Sequence, residues 1–330
     1  MNKQNCGRLS ISAIFLFLVA LPFTALAKTP VEQHGQLAVM GNKIVGSHGK
    51  PVSLAGPSFF WSNTGWGAEK FYNADVVRHL KQDWKASVVR AAIGAEGPGG
   101  YSEDPEGNYQ RAKALIDAAI AEGLYVIVDW HSHHAETHTD DAIVFFTRIA
   151  QAYGDTPNVI YEIYNEPLKA ADWAKTIKPY AETVIPVIRK IDSDNLIVVG
   201  TQAWSQDVDE ASKNPILGIN NIVYTLHFYA GTHKEELRKK AEIALNNGVA
   251  LMVTEWGTVN ADGDGKVAKE SVEQWLTFMK KHDLSFCTWS MHDKEEGASI
   301  LKPGASADGN WTDSDLTENG LYLKQIISNW

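Results

Sequence analysis

Short runs of apolar and β-branched residues recur along most of the chain, and each run ends in polar residues. The eight runs cover residues 52–56, 87–93, 125–130, 159–165, 196–201, 222–227, 251–255 and 285–289. Their length and composition are typical of buried strands. Amphipathic helical patterns separate them, and strands that alternate with helices form parallel sheets covered by helices.

Two of the intervening segments show the helical pattern clearly. Residues 110–122 place Ala112, Leu115, Ile116 and Ala119 on one face, and residues 267–282 do the same with Val272, Trp275, Leu276 and Met279. Eight strand and helix units favour an α/β fold of the closed (β/α)8 type, a single TIM barrel, over an open doubly wound sheet. No GxGxxG turn for a dinucleotide follows a strand.

A small β-structure precedes the barrel. Residues 37–45 and 51–53 flank the turn 46–49, which contains two glycines. This pattern predicts a β-hairpin that covers the floor of the barrel, at the amino ends of its strands.

The first 27 residues have the order of a secretory signal peptide. Lys3 and Arg8 precede an apolar run over 9–23, and Ala-Leu-Ala at 25–27 supplies the small residues of a cleavage site. A membrane anchor is the alternative, but the run is shorter than the roughly 20 residues of a spanning helix. We expect a protein secreted outside the cell or into the periplasm, with no membrane segment in its mature form. Residues 28–330 are predicted to be one catalytic domain without a linker or binding module.

The net charge and the cysteine content limit the classes of partner and the covalent cross-links that the protein can have. Without Lys3 and Arg8 the chain has 28 basic and 40 acidic side chains, and therefore a net charge of −12. This charge argues against nucleic acid as a partner and is compatible with a neutral polysaccharide. Loss of Cys6 leaves Cys287 as the sole cysteine, so no disulfide forms within the mature chain. We predict a buried core thiol in a monomeric protein.

The candidate chemistry lies where the predicted strands end. These positions hold Arg90, His131, Asn165, Glu166, His227, Tyr229, Glu255 and Trp289. Reactive residues of a TIM barrel gather at the carboxyl ends of its strands. Glu166 and Glu255 follow the fourth and seventh strands, and glycoside cleavage requires two such carboxylates. Structural ion pairs are the alternative, but acids beside buried strands are costly unless they have partners.

The sequences around the two glutamates resemble those of glycoside hydrolase family 5, in particular its bacterial endoglucanase branch. The matching motifs are Ile-Tyr-Asn-Glu-Pro at 163–167 and Val-Thr-Glu-Trp-Gly at 253–257. The resemblance implies that Glu166 is the acid/base and Glu255 the nucleophile of a retaining enzyme. It also implies that Arg90, His131, Asn165, His227 and Tyr229 complete the catalytic set, with no cofactor.

The same resemblance suggests residues that bind the substrate. Trp289 would form the floor of the subsite that holds the sugar being cleaved, and Trp204 would stack on the leaving side. Lys294 and Glu296 would bind a distal glucose, although a solvated charged loop is the alternative. Trp61, with Trp66 close by, is a further candidate for a stacking platform.

Several other activities are weighed against this hypothesis. The histidines at 131, 133, 134 and 138 suggest a metal site, but no acid or thiol is obviously recruited to them, and we predict no metal. The segment 260–265 imitates a calcium loop but lacks the glutamate at its twelfth position. No GxSxG elbow of a serine hydrolase is present. The expected substrate is β-1,4-glucan; mannan, xylan and mixed-linkage glucan remain alternatives, as does a non-catalytic carbohydrate-binding barrel.

Overall fold

Eight parallel strands close into a barrel. The structure is a computed structural model that describes Met1 and residues 28–330, so the predicted signal peptide lies, apart from Met1, outside the described residues. A hairpin consists of β1 (Ala38–Met40) and β2 (Lys43–Val45). The barrel strands are β3 (Ala55–Phe59), β4 (Val88–Gly94), β5 (Tyr125–His131), β6 (Val159–Glu162), β7 (Ile197–Val199), β8 (Ile222–Tyr229), β9 (Leu251–Gly257) and β10 (Phe286–Met291). Each strand pairs with the next, and β10 pairs with β3, which confirms the predicted (β/α)8 barrel.

Helices connect the strands around the outside. They are α1 (Pro30–His34), α2 (Ala74–Asp83), α3 (Pro105–Glu122), α4 (Thr139–Tyr153), α5 (Lys178–Arg189), α6 (Gln202–Ser205), α7 (Val208–Lys213), α8 (Glu235–Asn246), α9 (Lys269–His282) and α10 (Glu318–Ser328). The helix predicted from residue 110 begins five residues earlier. Asp104 accepts a hydrogen bond from the Gly107 amide, and Pro105 occupies the first turn, where its missing N–H has no cost.

The prediction for the hairpin is wrong in its turn, and that for the first barrel strand is wrong in its bounds. The hairpin turns at residues 41–42, where Gly41 supplies the left-handed backbone with φ of 61°. The predicted turn at 46–49 instead connects β2 to a single bridge between Val45 and Pro51. The first barrel strand covers residues 55–59 rather than 52–56, so that Pro57 lies within β3.

Apolar side chains seal the amino ends of the barrel strands. We call this group the floor cluster; it consists of Leu37, Ile44, Val52, Leu54, Val88, Tyr125, Ile127, Ile160, Leu196, Val198, Val223, Ala250, Met252 and Cys287. Leu37 and Ile44 bring the hairpin region onto the floor, as predicted. Cys287 is a buried free thiol whose pKa is raised by burial, which confirms the predicted core cysteine.

The register of the strands places several candidate site positions at the same height along the barrel axis. Gly94 pairs with His131 and His227 pairs with Glu255, so these positions share one edge of the barrel. Among residues 28–330, no helix combines the length and the apolar content that crossing a membrane requires.

Candidate active site

A buried arginine connects the polar side chains at the carboxyl ends of the strands. The Arg90 guanidinium on β4 donates to Glu162 at 2.7 Å and to Glu255 at 3.1 Å, and lies 2.9 Å from Asp129. It also donates to the Asn165 side-chain oxygen at 2.7 Å. Burial alone would lower the pKa of Arg90, but the three carboxylates raise it well above its usual value. Asp129 and Glu162 were not predicted as site residues because they lie within predicted strands and are not among the residues to which the family resemblance assigns a role.

Glu255 is held by partners at both carboxylate oxygens. Tyr229 donates its hydroxyl to Oε1 at 2.8 Å, and Arg90 donates to Oε2 at 3.1 Å. Burial raises the pKa of Glu255 and the charge of Glu166 adds to this effect, whereas His227, Arg90 and Tyr229 oppose it. The two hydrogen bonds fix the orientation of the carboxylate towards the centre of the barrel mouth.

Glu166 follows β6 and lies between two histidines. The His227 Nδ1 atom is 2.9 Å from Oε1, and the His133 Nε2 atom is 3.2 Å from Oε2. Burial alone would raise the pKa of Glu166, but these hydrogen bonds lower it to about 2. Burial likewise opposes the charged form of His227, but the surrounding carboxylates raise its pKa to about 9. Sequence analysis placed His133 only in a rejected metal cluster, so its contact with Glu166 was missed.

The two glutamates face each other across the mouth of the barrel. One oxygen of Glu166, one oxygen of Glu255 and one ring nitrogen of His227 lie within 4.8 Å of one another. Retaining glycosidases have carboxyl groups about 5–5.5 Å apart, whereas inverting enzymes need a wider gap for a water molecule. This spacing would also suit a cation, but Arg90, Tyr229 and the histidines already satisfy these atoms. We therefore assign none of them as a metal ligand.

Three of the four histidines that suggested a metal site have different partners. His131 Nδ1 lies 2.6 Å from Asp129, His133 contacts Glu166, and His138 Nε2 lies 3.4 Å from Glu96. The three rings therefore serve three separate carboxylates and do not converge on one point.

Aromatic rings form one wall of the mouth. His131 stacks on Trp289 with ring centroids 5.2 Å apart and planes 3° apart, and the Trp61 ring packs against His131 at 4.2 Å. Asn165 Nδ2 lies 3.5 Å from His131 Nε2. Trp66 extends this group from Trp61, with centroids 5.5 Å apart. Trp289, which was predicted to line the subsite for the sugar being cleaved, thus stacks on His131 at the mouth of the barrel. It lies on the same side of the mouth as Trp61 and Trp66.

A cavity of about 360 Å³ opens beside the acid pair on the other side. It is lined by Glu166, Trp204, Gln206, His227, Tyr229, His233 and Ala261. Trp204 is 42% exposed and belongs to a turn in which residues 203–205 all have left-handed φ values of 57–59°. The Ser205 hydroxyl donates to the Asn165 carbonyl at 2.7 Å, which ties this turn to the residue next to Glu166. Gln206, His233 and Ala261 were not predicted, since their residue types are ordinary in a loop.

The charged loop after β10 is ordered by its own contacts. Lys294 lies 3.0 Å from Glu296 and 4.5 Å above the ring centroid of Phe60. His292 is buried, and its Nε2 atom lies 2.9 Å from Glu296. Burial alone would raise the pKa of Glu296, but His292 and Lys294 lower it. These contacts make the loop a formed polar surface rather than a solvated charge run.

A closed parallel barrel with two facing carboxylates at the carboxyl ends of its fourth and seventh strands is typical of barrel glycoside hydrolases. The family model described as cellulase (glycosyl hydrolase family 5) matches residues 45–295. The chain belongs to this family.

Similar proteins agree with this family. Endoglucanase Z of Dickeya dadantii is 56% identical over 294 residues, which are 89% of this chain and 66% of that protein. The chain thus spans about two thirds of the length of this curated relative. A structure from Cytophaga hutchinsonii has 50% identity and a TM-score of 0.88, and the match covers 91% of this chain and 96% of that one. A variant catalytic domain of Thermobifida fusca endoglucanase Cel5A in complex with cellotetraose has 34% identity and a TM-score of 0.85, with 91% and 99% covered.

Proposed function

We propose that this protein is an endo-acting β-1,4-glucanase that cleaves its substrate with retention of anomeric configuration. The observation that carries the proposal is the approach of the Glu166 and Glu255 oxygens to within 4.8 Å of each other. This separation allows one carboxylate to attack the anomeric carbon directly while the other protonates the leaving oxygen. The names of the relatives, which are endoglucanases, and the cellotetraose bound to the Thermobifida enzyme support glucan as the substrate.

In the first step Glu255 attacks the anomeric carbon and Glu166 donates a proton to the glycosidic oxygen. Arg90 and Tyr229 hold Glu255 in the attacking orientation through hydrogen bonds of 3.1 and 2.8 Å. Asn165 is fixed through its side-chain oxygen by Arg90, and one amide N–H lies near His131, so the other N–H can donate to the sugar 2-hydroxyl, a contact that strengthens in the transition state.

In the second step water attacks the glycosyl-enzyme and Glu166 accepts its proton. The bond between the sugar and Glu255 breaks, which restores ionised Glu255 and protonated Glu166. The charge of Glu166 differs between the two half-reactions. His133 and His227 contact both of its oxygens and are therefore placed to respond to each change.

The walls of the mouth provide subsites on both sides of the cleaved bond. Trp289 and His131 form the floor for the sugar at the reaction centre, because a flat aromatic face suits the apolar face of a pyranose. Trp204 serves the leaving side, and Lys294 and Glu296 bind hydroxyls of a distal glucose next to Phe60. Trp61 supports His131 and extends this wall towards Trp66.

A substrate panel and the stereochemistry of the product test the proposal. We expect faster cleavage of carboxymethylcellulose and lichenan than of galactomannan or xylan, with a rapid fall in viscosity that marks internal cuts. Proton NMR of early products should show the β-anomer first. Fastest cleavage of mannan or xylan would contradict the glucan assignment, and initial α-product would contradict retention. Binding of all four polymers without turnover would identify the alternative, a carbohydrate-binding barrel.

We also propose that residues 1–27 direct export and that the mature protein is a monomer. Expression of the full chain in a bacterium, followed by N-terminal sequencing of the exported protein, should give Lys28 as the first residue. Light scattering should give the mass of a single chain. An uncleaved product, or a dimer that persists on dilution, would contradict these two expectations respectively.

A further inference from the structure

A chain of hydrogen bonds beneath the acid pair ends at His227. The His227 Nε2 atom lies 2.9 Å from the Thr254 hydroxyl on β9, and this hydroxyl donates to Glu162 Oε1 at 2.6 Å. The hydroxyl of Thr225 also contacts Thr254. Glu162, Thr225, His227 and Thr254 are all almost fully buried, so water does not compete for these bonds.

The hydroxyl of Thr254 has one proton and two lone pairs. Because Glu162 is held as an anion by Arg90 at 2.7 Å, the Thr254 proton is best placed on the bond to Glu162. With that proton on the bond to Glu162, Thr254 presents a lone pair to His227, so Nε2 of His227 must carry a hydrogen to form the 2.9 Å contact. Glu162 Oε1 itself lies 3.8 Å from this Nε2 atom, and its negative charge favours the same arrangement.

This arrangement determines what happens at the other ring nitrogen. With hydrogen fixed on Nε2, a neutral His227 presents the lone pair of Nδ1 towards Glu166 Oε1, 2.9 Å away. Two lone pairs that face each other at this distance repel, unless one proton lies between them. That proton belongs either to a His227 cation beside ionised Glu166 or to a neutral histidine beside protonated Glu166.

We propose that Thr254 and Glu162 are positioning residues that hold His227 in its Nε2–H tautomer, so that the bond between His227 and Glu166 keeps the proton needed by the leaving group. This inference rests on the proposed function. In the reaction the proton moves from His227 Nδ1 to Glu166 and then to the glycosidic oxygen, while the bond from the anomeric carbon to that oxygen breaks and the bond to Glu255 forms. The water of the second step returns a proton to Glu166, and the pair is restored.

The charges around His227 are consistent with this role. The titratable groups that face it or the carboxylates beside it are Arg90 on β4, Asp129 and His131 on β5, His133 after β5, Glu162 and Glu166 on and after β6, Tyr229 on β8, His233 after β8, and Glu255 on β9. The negative charge of Glu166 raises the pKa of Glu255, and the positive charge of His227 lowers it by a smaller amount. Transfer of the proton from His227 to Glu166 removes both charges. Arg90 and Tyr229 remain, so the transfer that makes Glu166 an acid also favours ionised Glu255.

The substitution Thr254→Val tests the proposal because it removes the hydroxyl and keeps the shape. His227 can then place its hydrogen on Nδ1 and satisfy ionised Glu166 without the additional proton. We expect the alkaline limb of kcat/KM on cello-oligosaccharides to move down by about one pH unit. At pH 8 the ratio of kcat/KM for dinitrophenyl cellobioside to that for cellotetraose should rise about tenfold, because a dinitrophenolate leaves without protonation.

Two matched variants serve as controls. Thr254→Ser keeps the hydroxyl, and Thr225→Val removes a buried hydroxyl that contacts Thr254 but not His227. In both variants the alkaline limb of kcat/KM should lie at the same pH as in the wild type. The proposal is overturned if Thr254→Val titrates like Thr254→Ser. A wild-type protein that cleaves neither substrate would instead overturn the proposed function.

A second measurement does not depend on turnover. The protein contains 11 histidines, and ¹⁵N labelling of histidine with a His227→Asn reference spectrum assigns the ring nitrogens of His227. We expect Nε2 of the wild type to remain protonated across neutral and mildly alkaline pH, and the proton to move to Nδ1 in Thr254→Val above pH 8. An Nε2 atom without hydrogen in the wild type would overturn the proposal.

Discussion

The amino and carboxyl ends of the same eight strands bury different kinds of side chain. At the amino ends, the floor cluster consists of apolar side chains, one tyrosine and one thiol. At the carboxyl ends, Arg90, Asp129 and Glu162 are fully buried, and Glu255 is only 4% exposed. Both ends are closely packed, so burial alone does not distinguish them. They differ in what offsets the loss of water: apolar contact at the floor, and hydrogen bonds between charges at the mouth.

This difference separates stability from chemistry within one strand. On β9, Met252 belongs to the floor cluster and Glu255 to the acid pair, three residues apart. Apolar burial contributes directly to the free energy of folding. Buried charges contribute little net stability but supply fixed electrostatic partners for a reaction. Substitutions at the two ends of β9 should therefore affect different measurements.

The largest effect is expected for Glu255→Ala. Loss of the nucleophile should reduce kcat/KM on β-glucan by about 10⁴-fold or more. The free energy of unfolding should change by less than about 2 kcal/mol, because Arg90 keeps Asp129 and Glu162 as partners. Steady-state kinetics and urea unfolding measure the two quantities.

Azide distinguishes the two glutamates in matched variants. It should restore cleavage to Glu255→Ala by entering the vacated space, and the product should be the glycosyl azide of inverted configuration. Glu166→Ala should not give this product. An inverted azide from Glu166→Ala, or unfolding of Glu255→Ala, would contradict the separation between the two ends.

The second largest effect is a loss of stability on substitution of Met252, which lies nearer the amino end of β9. Met252→Ala removes a fully buried side chain from the floor cluster and should lower the free energy of unfolding by about 2–5 kcal/mol. At a temperature well below the unfolding midpoint, kcat/KM should stay within about twofold of the wild type. A large loss of activity in protein that is still folded would show that the floor and the mouth are coupled.

The sequence was sufficient to predict the barrel because periodic burial is a local property. Each run of apolar residues is followed by a polar position and then by a helix, and these patterns need no distant contact. Details that depend on one residue were less predictable. The first barrel strand extends through Pro57 to residue 59 instead of ending at residue 56, and the glycine that makes the hairpin turn is Gly41 rather than the pair at residues 46 and 49.

The candidate site was predictable where it matched a motif, and less so where it depended on convergence in space. The acids at 166 and 255 follow strands and lie in recognisable motifs. His133, by contrast, reaches Glu166 from a different loop, and Thr254 on β9 meets its partners on β6 and β8 only when the barrel closes. No spacing along the chain encodes those contacts, which arise from closure of the barrel.

A smaller effect should appear in the pH dependence of stability. Glu166 and His227 at the mouth change charge between acid and mildly alkaline pH, whereas burial raises the pKa of Tyr125 and Cys287, the ionisable groups of the floor cluster. The pKa of His227 is about 9 against an ordinary 6.5, so its stabilisation is complete below about pH 6.5 and is lost as pH rises through 9. The pKa of Glu166 is about 2 against 4.5, so its stabilisation is complete above 4.5 and is lost as pH falls through 2. The pair therefore stabilises the fold most between pH 4.5 and 6.5.

As pH rises from about 6.5 to above 9, we expect the free energy of unfolding to fall by about 1–3 kcal/mol more in the wild type than in His227→Asn. Urea unfolding across this range measures the difference. Met252→Ala serves as the control and should run parallel to the wild type, because it alters no ionisable group. A steeper loss in His227→Asn than in the wild type would contradict the sign of this effect.

The smallest effect is expected at the rim of the mouth, where Trp204 is 42% exposed. Trp204→Ala should raise KM for cello-oligosaccharides about fivefold to tenfold, since aromatic contacts contribute about 1–1.5 kcal/mol. The free energy of unfolding should change by less than about 0.5 kcal/mol, as for other exposed positions. Aryl cellobiosides have no sugar on the leaving side, so their kinetics should not change. An equal loss on aryl cellobiosides would show that Trp204 acts through Ser205 on Asn165 instead, and the rim would then belong to the catalytic machinery.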